Sequence, residues 1–167
     1  MISCASLWRR PLNSPLLILG LLLWIGTAPA SASGQEAYAG TRVIDTEIQF
    51  DDLVKNLKQA IKDNGMGLVA AASASRGAAS RGIHIPGNAV LMVFRNDYAV
   101  RMLAASIAAG IEAPLRIYVT EKPEGTAKIT YRLPSAVFGP YNRPALDEMA
   151  LELDVIFGKI TNDAITE

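Results

Sequence analysis

Two short runs place basic and hydroxyl side chains at every second residue. In Leu115–Glu121, Arg116, Tyr118 and Thr120 alternate with Leu115, Ile117 and Val119. In Thr126–Leu133, Lys128, Thr130 and Arg132 alternate with Ala127, Ile129 and Tyr131. A period of two sends successive side chains to opposite faces of a strand. Pairing the runs as a hairpin therefore gathers one basic, hydroxyl-rich face with a tyrosine in it. A guanidinium fork matches carboxylate and phosphate oxygens. Arg116, flanked by Tyr118, Thr120, Lys128 and Arg132, is the best candidate for holding a small anion. Two other readings stay open: a solvated face neutralised by Asp45 and Glu47, and an interface with a second copy of the chain.

The remaining reactive residues assemble into nothing comparable. His84 is the single histidine, in a Gly-Ile-His-Ile-Pro context. It has no second histidine or cysteine partner to complete a metal shell, and no serine–histidine–acid pattern is visible. A structural or surface role is its simplest reading, with a metal ligand or general base as the sharper one. Met66, Met92, Met102 and Met149 fall inside or beside apolar elements, where gap-filling in the core outweighs binding of copper(I). Gly82 and Gly87 lack the lysine and hydroxyl residue that end a phosphate loop. Glu112, Glu121 and Glu124 share no visible site, so a paired-carboxylate mechanism has no support. No catalytic residue, metal site or cofactor is assigned.

The elements that must position the basic face are legible around Ala89–Glu121. Val90–Phe94 is an unbroken apolar run that predicts a strand covered on both faces. Asn96 or Asp97 is expected to cap a helix carrying Tyr98, Met102 and Leu103 as its packing stripe. Gly110 is expected to end that helix at positive φ, with Pro114 turning the chain into the next strand. Upstream, Val43–Phe50 alternates Ile44, Thr46, Ile48 and Phe50 against Val43, Asp45, Glu47 and Gln49. Asp51 and Asp52 then offer an N-cap to a helix with Leu53, Leu57, Ala60 and Ile61 at helical spacing, closed by Gly65. Met66–Ser73 reads as a strand of small apolar residues, and Ala74–Asn88 as irregular, with one helical turn near Ala78–Arg81. Lys122-Pro123-Glu124-Gly125 turns the chain between the two alternating runs. A last helix carries Leu146, Met149, Leu153, Ile156 and Ile160 on one stripe.

The order β-α-β-β-α-β-β-α implies an α+β domain with a mainly antiparallel sheet and helices on one face. The stretches VLMVFRND, GIEAPLR and YVTEKPEGTAKITYRLPS resemble the DUF302 family, named for lacking an assigned function. The resemblance runs from about Thr46 to Phe157 and implies a TBP-like arrangement. Its strongest markers are Pro114–Leu115–Arg116 after a glycine, and Tyr131 with Pro134. Many family members carry an Asp-His pair just after the second strand. Here Ser73–Arg76 has neither residue, which leaves any role of that pair without a carrier.

The first 32 residues read as a secretory signal peptide. Trp8-Arg9-Arg10 is a basic n-region, Leu16–Ile25 an apolar core, and Ala28–Ser33 a run of cleavable small residues. An uncleaved anchor is the alternative, although the apolar run falls short of the roughly 20 residues of a spanning helix. Cleavage removes Cys4, the only cysteine, and leaves a chain indifferent to an oxidising compartment. It also lowers the basic count from 16 to 14 against 16 acidic residues, a net charge of −2. That balance weighs against nucleic acid or an anionic membrane as the main partner. The expected layout is residues 33–41 as lead-in, 42–160 as one domain and 161–167 as a frayed tail. The expected product is a periplasmic or secreted, non-catalytic module that binds a ligand or partner, as a homodimer. The alternative is a small periplasmic enzyme with an Arg116/Tyr118 electrostatic site acting on an anionic molecule.

Overall fold

A computed structural model of the chain describes residues 38–166, and the expected leader and cleavage site fall outside the described residues. Five strands form one sheet in the order β1-β5-β4-β3-β2, with every neighbouring pair antiparallel. They are β1 (Thr41–Gln49), β2 (Gly67–Ala72), β3 (Asn88–Phe94), β4 (Leu115–Glu121) and β5 (Thr126–Arg132). The helices are α1 (Phe50–Asp63), α2 (Ala74–Ala79), α3 (Asn96–Ala105), α4 (Pro134–Phe138) and α5 (Pro144–Thr166). This is the expected α+β architecture with short helical turns added in the connections.

The alternation in the sequence decides which side of the sheet is covered. Leu91, Val93, Leu115, Ile117, Val119, Ile129 and Tyr131 are buried against Leu53, Leu57 and Ile61 of α1 and Leu146, Met149, Leu153 and Phe157 of α5. Each fully buried Leu or Ile contributes about 1.5–3 kcal/mol relative to exposure. The opposite face carries no helix residues of this core cluster.

α1 stops where the sequence places the stop. Gly65 has φ of 70°, its N–H donates to the Lys62 carbonyl at 2.9 Å, and the Met66 N–H reaches back to Ile61 at 2.9 Å. This pair of bonds is the Schellman arrangement, which needs a left-handed residue that glycine adopts without penalty. Asp51 and Asp52 do not cap α1: Gln49 is its N-cap, and both aspartates lie in the first turn, facing the positive helix end. α3 likewise starts after Arg95, without a side-chain cap. Asp97, one of the expected caps, is instead held by the Arg95 guanidinium at 2.7 and 2.9 Å.

Gly110 also differs from its expected role. α3 ends at Ala105, Ser106 is extended at φ −161°, and Gly110 lies inside a short 3₁₀ turn, Ile107–Glu112. It is not among the positive-φ glycines. A Cβ there would meet the Cδ2 of Leu103 at 3.1 Å, the tip of a half-exposed side chain free to move. Gly110→Ala is therefore expected to shift the denaturation midpoint by less than the ~1 kcal/mol of a left-handed site.

The C-terminal segment is packed rather than frayed. α5 runs to Thr166, with Thr161 and Ala164 buried. The Asn56 side chain of α1 donates to the Ala164 carbonyl at 3.3 Å, and Asn64 to Asp163 at 2.8 Å.

α3 is fixed to α5 by a charged cluster. Arg101 donates both arms of its fork to Glu152 at 2.8 Å, the Tyr98 hydroxyl donates to Glu152 at 3.2 Å, and Arg95 stacks over the Tyr98 ring at 4.3 Å. The bond from Arg101 holds the Glu152 carboxyl below its ordinary value of 4.5. A carboxyl lowered in the folded state stabilises above its unfolded value and ceases to as pH falls through its folded value. The stability gap between the wild type and Glu152→Gln is thus expected to be constant near neutral pH. It should close as pH drops below about 4.5, as read from urea midpoints across the acid range.

Candidate functional site

The hairpin pairs in the register that gathers the predicted face. Tyr118 stands opposite Thr130 and Thr120 opposite Lys128, while Ile117 and Tyr131 pair on the buried side. One step further along, this register sets Arg116 beside Arg132. The rows continue across the sheet. Met92 flanks Arg116, Val90 flanks Tyr118, Asn88 flanks Thr120, and Asp45 and Val43 flank Lys128 and Thr130. All five candidate residues therefore project from the side of the sheet opposite the buried row, and Arg132 reaches round the end of the sheet to α4.

The face is uneven in charge. Lys122, at the turn, takes Glu47 at 3.9 Å and Glu124 at 3.2 Å, at the opposite end of the hairpin from Arg116 and Arg132. Asp45 sits across from Lys128, two strands from Arg116. Among the described residues, neither Arg116 nor Arg132 has a carboxylate within ion-pair distance. Like charges on neighbouring strands repel. Both arginines line a cleft of about 70 Å³ with Glu112, Leu115 and Val137. Glu112 accepts a bond from the Tyr141 hydroxyl at 3.0 Å, and one arm of Arg132 is spent on the Ala136 carbonyl at 3.1 Å. Burial, helped by the bond to Glu112, pushes the Tyr141 phenol above its usual value. Further along the face, the enclosed Thr120 hydroxyl has no hydrogen-bond partner among the described residues.

His84 lies elsewhere. It is exposed and lines a second depression, of about 330 Å³, with Asp51, Ser75, Arg76 and Glu121 at the end of the sheet. Glu121 is held there by the Gly87 N–H at 2.5 Å. Sequence reading missed this gathering because its members are brought together by α1, α2 and two strands from distant segments. The only local signal was the run of glycines and small residues over 74–88. Met66, Met102 and Met149 converge on a core void of about 30 Å³, lined by Tyr98, Leu115, Phe138 and Leu153. That is room for about one water, and the flexible thioethers fill the irregular space around it. Among the described residues no cluster of three or more His, Cys, Asp or Glu side chains is placed to hold a metal, and no helix is long and apolar enough to cross a membrane.

A family model described as domain of unknown function DUF302 matches residues 43–163, wider at both ends than the stretch of resemblance. A solved structure, an uncharacterized conserved DUF302 protein from Bacillus stearothermophilus, superposes with a TM-score of 0.67 at 21% identity. The match covers 75% of this chain and 98% of that one, and likeness at that identity speaks for the fold. No curated protein matches. Because the matched segment takes in all of the sheet but the first two residues of β1, the basic hairpin face and most of α5, the chain belongs to the DUF302 family.

Proposed function

We propose that this protein is an exported, non-catalytic binding module whose open sheet face takes a small anion between Arg116 and Arg132. The observation that carries the reading is the adjacent pair of arginines lining one cleft without a carboxylate partner among the described residues. An anion between two guanidinium groups replaces repulsion by charge-assisted hydrogen bonds, each stronger than a neutral one. Tyr118, Thr120 and Lys128 extend the same surface. The uncovered face also suits a homodimer, since exposed Tyr118 and Val43 give it apolar area among the charges. The leader pattern and the cysteine-free mature chain support a periplasmic or secreted address, with the signal peptide removed between about Ala30 and Ser33. The enzyme reading has less behind it. His84 lines a different depression from Arg116, and Glu112, the carboxylate in the cleft, is engaged by Tyr141.

Arg116→Glu tests this reading. Phosphate should raise the melting temperature of the wild type but not of the variant, while the variant keeps its fold. If the face is instead a dimer contact, the same change halves the mass by light scattering. A variant that matches the wild type in both assays makes the face a solvated surface.

A further inference from the structure

A second cavity lies on the helix side of the sheet, and its chemistry differs from that of the basic face. Phe50, Val54 and Lys58 recur every four residues and so line one side of α1. They face the end of β2 and the start of β3 across a cavity of about 220 Å³. The cavity exists because β2 is built from alanines. Ala71 pairs with Leu91 on the covered side, and its single methyl, itself exposed, lines the cavity opposite α1. Val54, Ala89 and Leu91 close its floor and are at least nine-tenths buried, so its open apolar surface comes from Phe50, Ala71 and Ala72.

The rim carries two cations and no acid. Lys58 is half-buried and makes no ion pair among the described residues. Arg76 makes one loose contact, 3.8 Å to Asp51, with both side chains strongly exposed. Its backbone is nonetheless fixed. The Ser73 hydroxyl accepts from the Arg76 N–H at 3.1 Å, and Asn88 accepts from the Ala74 N–H at 2.9 Å, tying α2 to β3. Arg76 is therefore a tethered, swinging cation over an apolar hole.

We infer that this cavity binds a small organic carboxylate, its apolar body against Phe50, Ala71 and Ala72 and its carboxylate between Lys58 and Arg76. An apolar floor rejects a bare ion, because stripping water from one is costly without full pairing. A cationic rim rewards a charge at one end only. The volume equals that of about seven waters at ~30 Å³ each, which suits a molecule of benzoate size. The site is independent of Arg116, so the two readings fail separately.

The probe is benzoate, with benzyl alcohol and inorganic phosphate as controls, titrated calorimetrically into the purified protein. Benzoate should bind saturably and the two controls at least about ten-fold more weakly, a difference of ~1.4 kcal/mol. Lys58→Met, which keeps the helix and removes the charge, should weaken benzoate about ten-fold. Ala71→Leu should abolish binding by filling the cavity, and Arg116→Glu should leave it unchanged. Absence of benzoate binding overturns the inference. Equal binding of benzyl alcohol does too, as does full affinity in a folded Lys58→Met or Ala71→Leu protein.

Discussion

Phe157→Ala is expected to lower the unfolding free energy by about 3–5 kcal/mol, the range for truncating a large buried aromatic. Phe157 has no exposed surface and stands with its ring 5.7 Å from that of Tyr131, tilted by 43°. It is the point where α5 meets β5, so its loss removes transfer energy, leaves a void and forfeits an aromatic contact worth roughly 0.5–1.5 kcal/mol. Urea denaturation reads the effect as a lower midpoint at nearly unchanged slope. A loss below about 1 kcal/mol would mean that the helix layer relaxes into the space, and that α5 is not what holds the sheet's covered face.

Gly40→Ala should cost about 2–4 kcal/mol, from two separable sources. Gly40 has φ of 78°, and a Cβ on it would overlap the Cβ of Ala136 in α4. Its carbonyl accepts the Leu133 N–H at 2.8 Å, so the backbone cannot simply swing away without losing the bond that extends the β1–β5 ladder to the start of α4. The double variant Gly40→Ala with Ala136→Gly removes the overlap and keeps the left-handed strain. Its stability should recover part of the loss, leaving about 1–2 kcal/mol. Equal losses in the single and double variants would show that conformation, not contact, fixes this glycine.

Some of the molecule was open to inspection in its residues, and the division is physical. The strict alternation of Arg116–Thr120 and Lys128–Arg132 named the basic face, because a strand's period of two needs no tertiary information. The Asn64-Gly65 stop of α1 was equally local. Gly110 was misread because a glycine after an alanine-rich helix resembles a C-cap, while the chain uses Ser106 to leave the helix four residues earlier. Residues 161–166 looked like a tail because what buries Thr161 and Ala164 comes from α1, about a hundred positions away. The cavity beside α1 was invisible for the same reason: a strand of small apolar residues shows no hollow until α1 is placed opposite it. Caps failed where a side chain had a better partner, as with Asp97 and Arg95.

The central claim is that Arg116 and Arg132 act together on one anion. Nitrogen-detected or proton-detected NMR of the arginine side chains during a phosphate titration observes those two groups directly. The Nε–H signals of Arg116 and Arg132 should move together along one saturating curve, with Arg101 and Arg95, already held by Glu152 and Asp97, unmoved. Signals of Arg116 and Arg132 that stay still while phosphate shifts others, or that drift linearly without saturation, would contradict it.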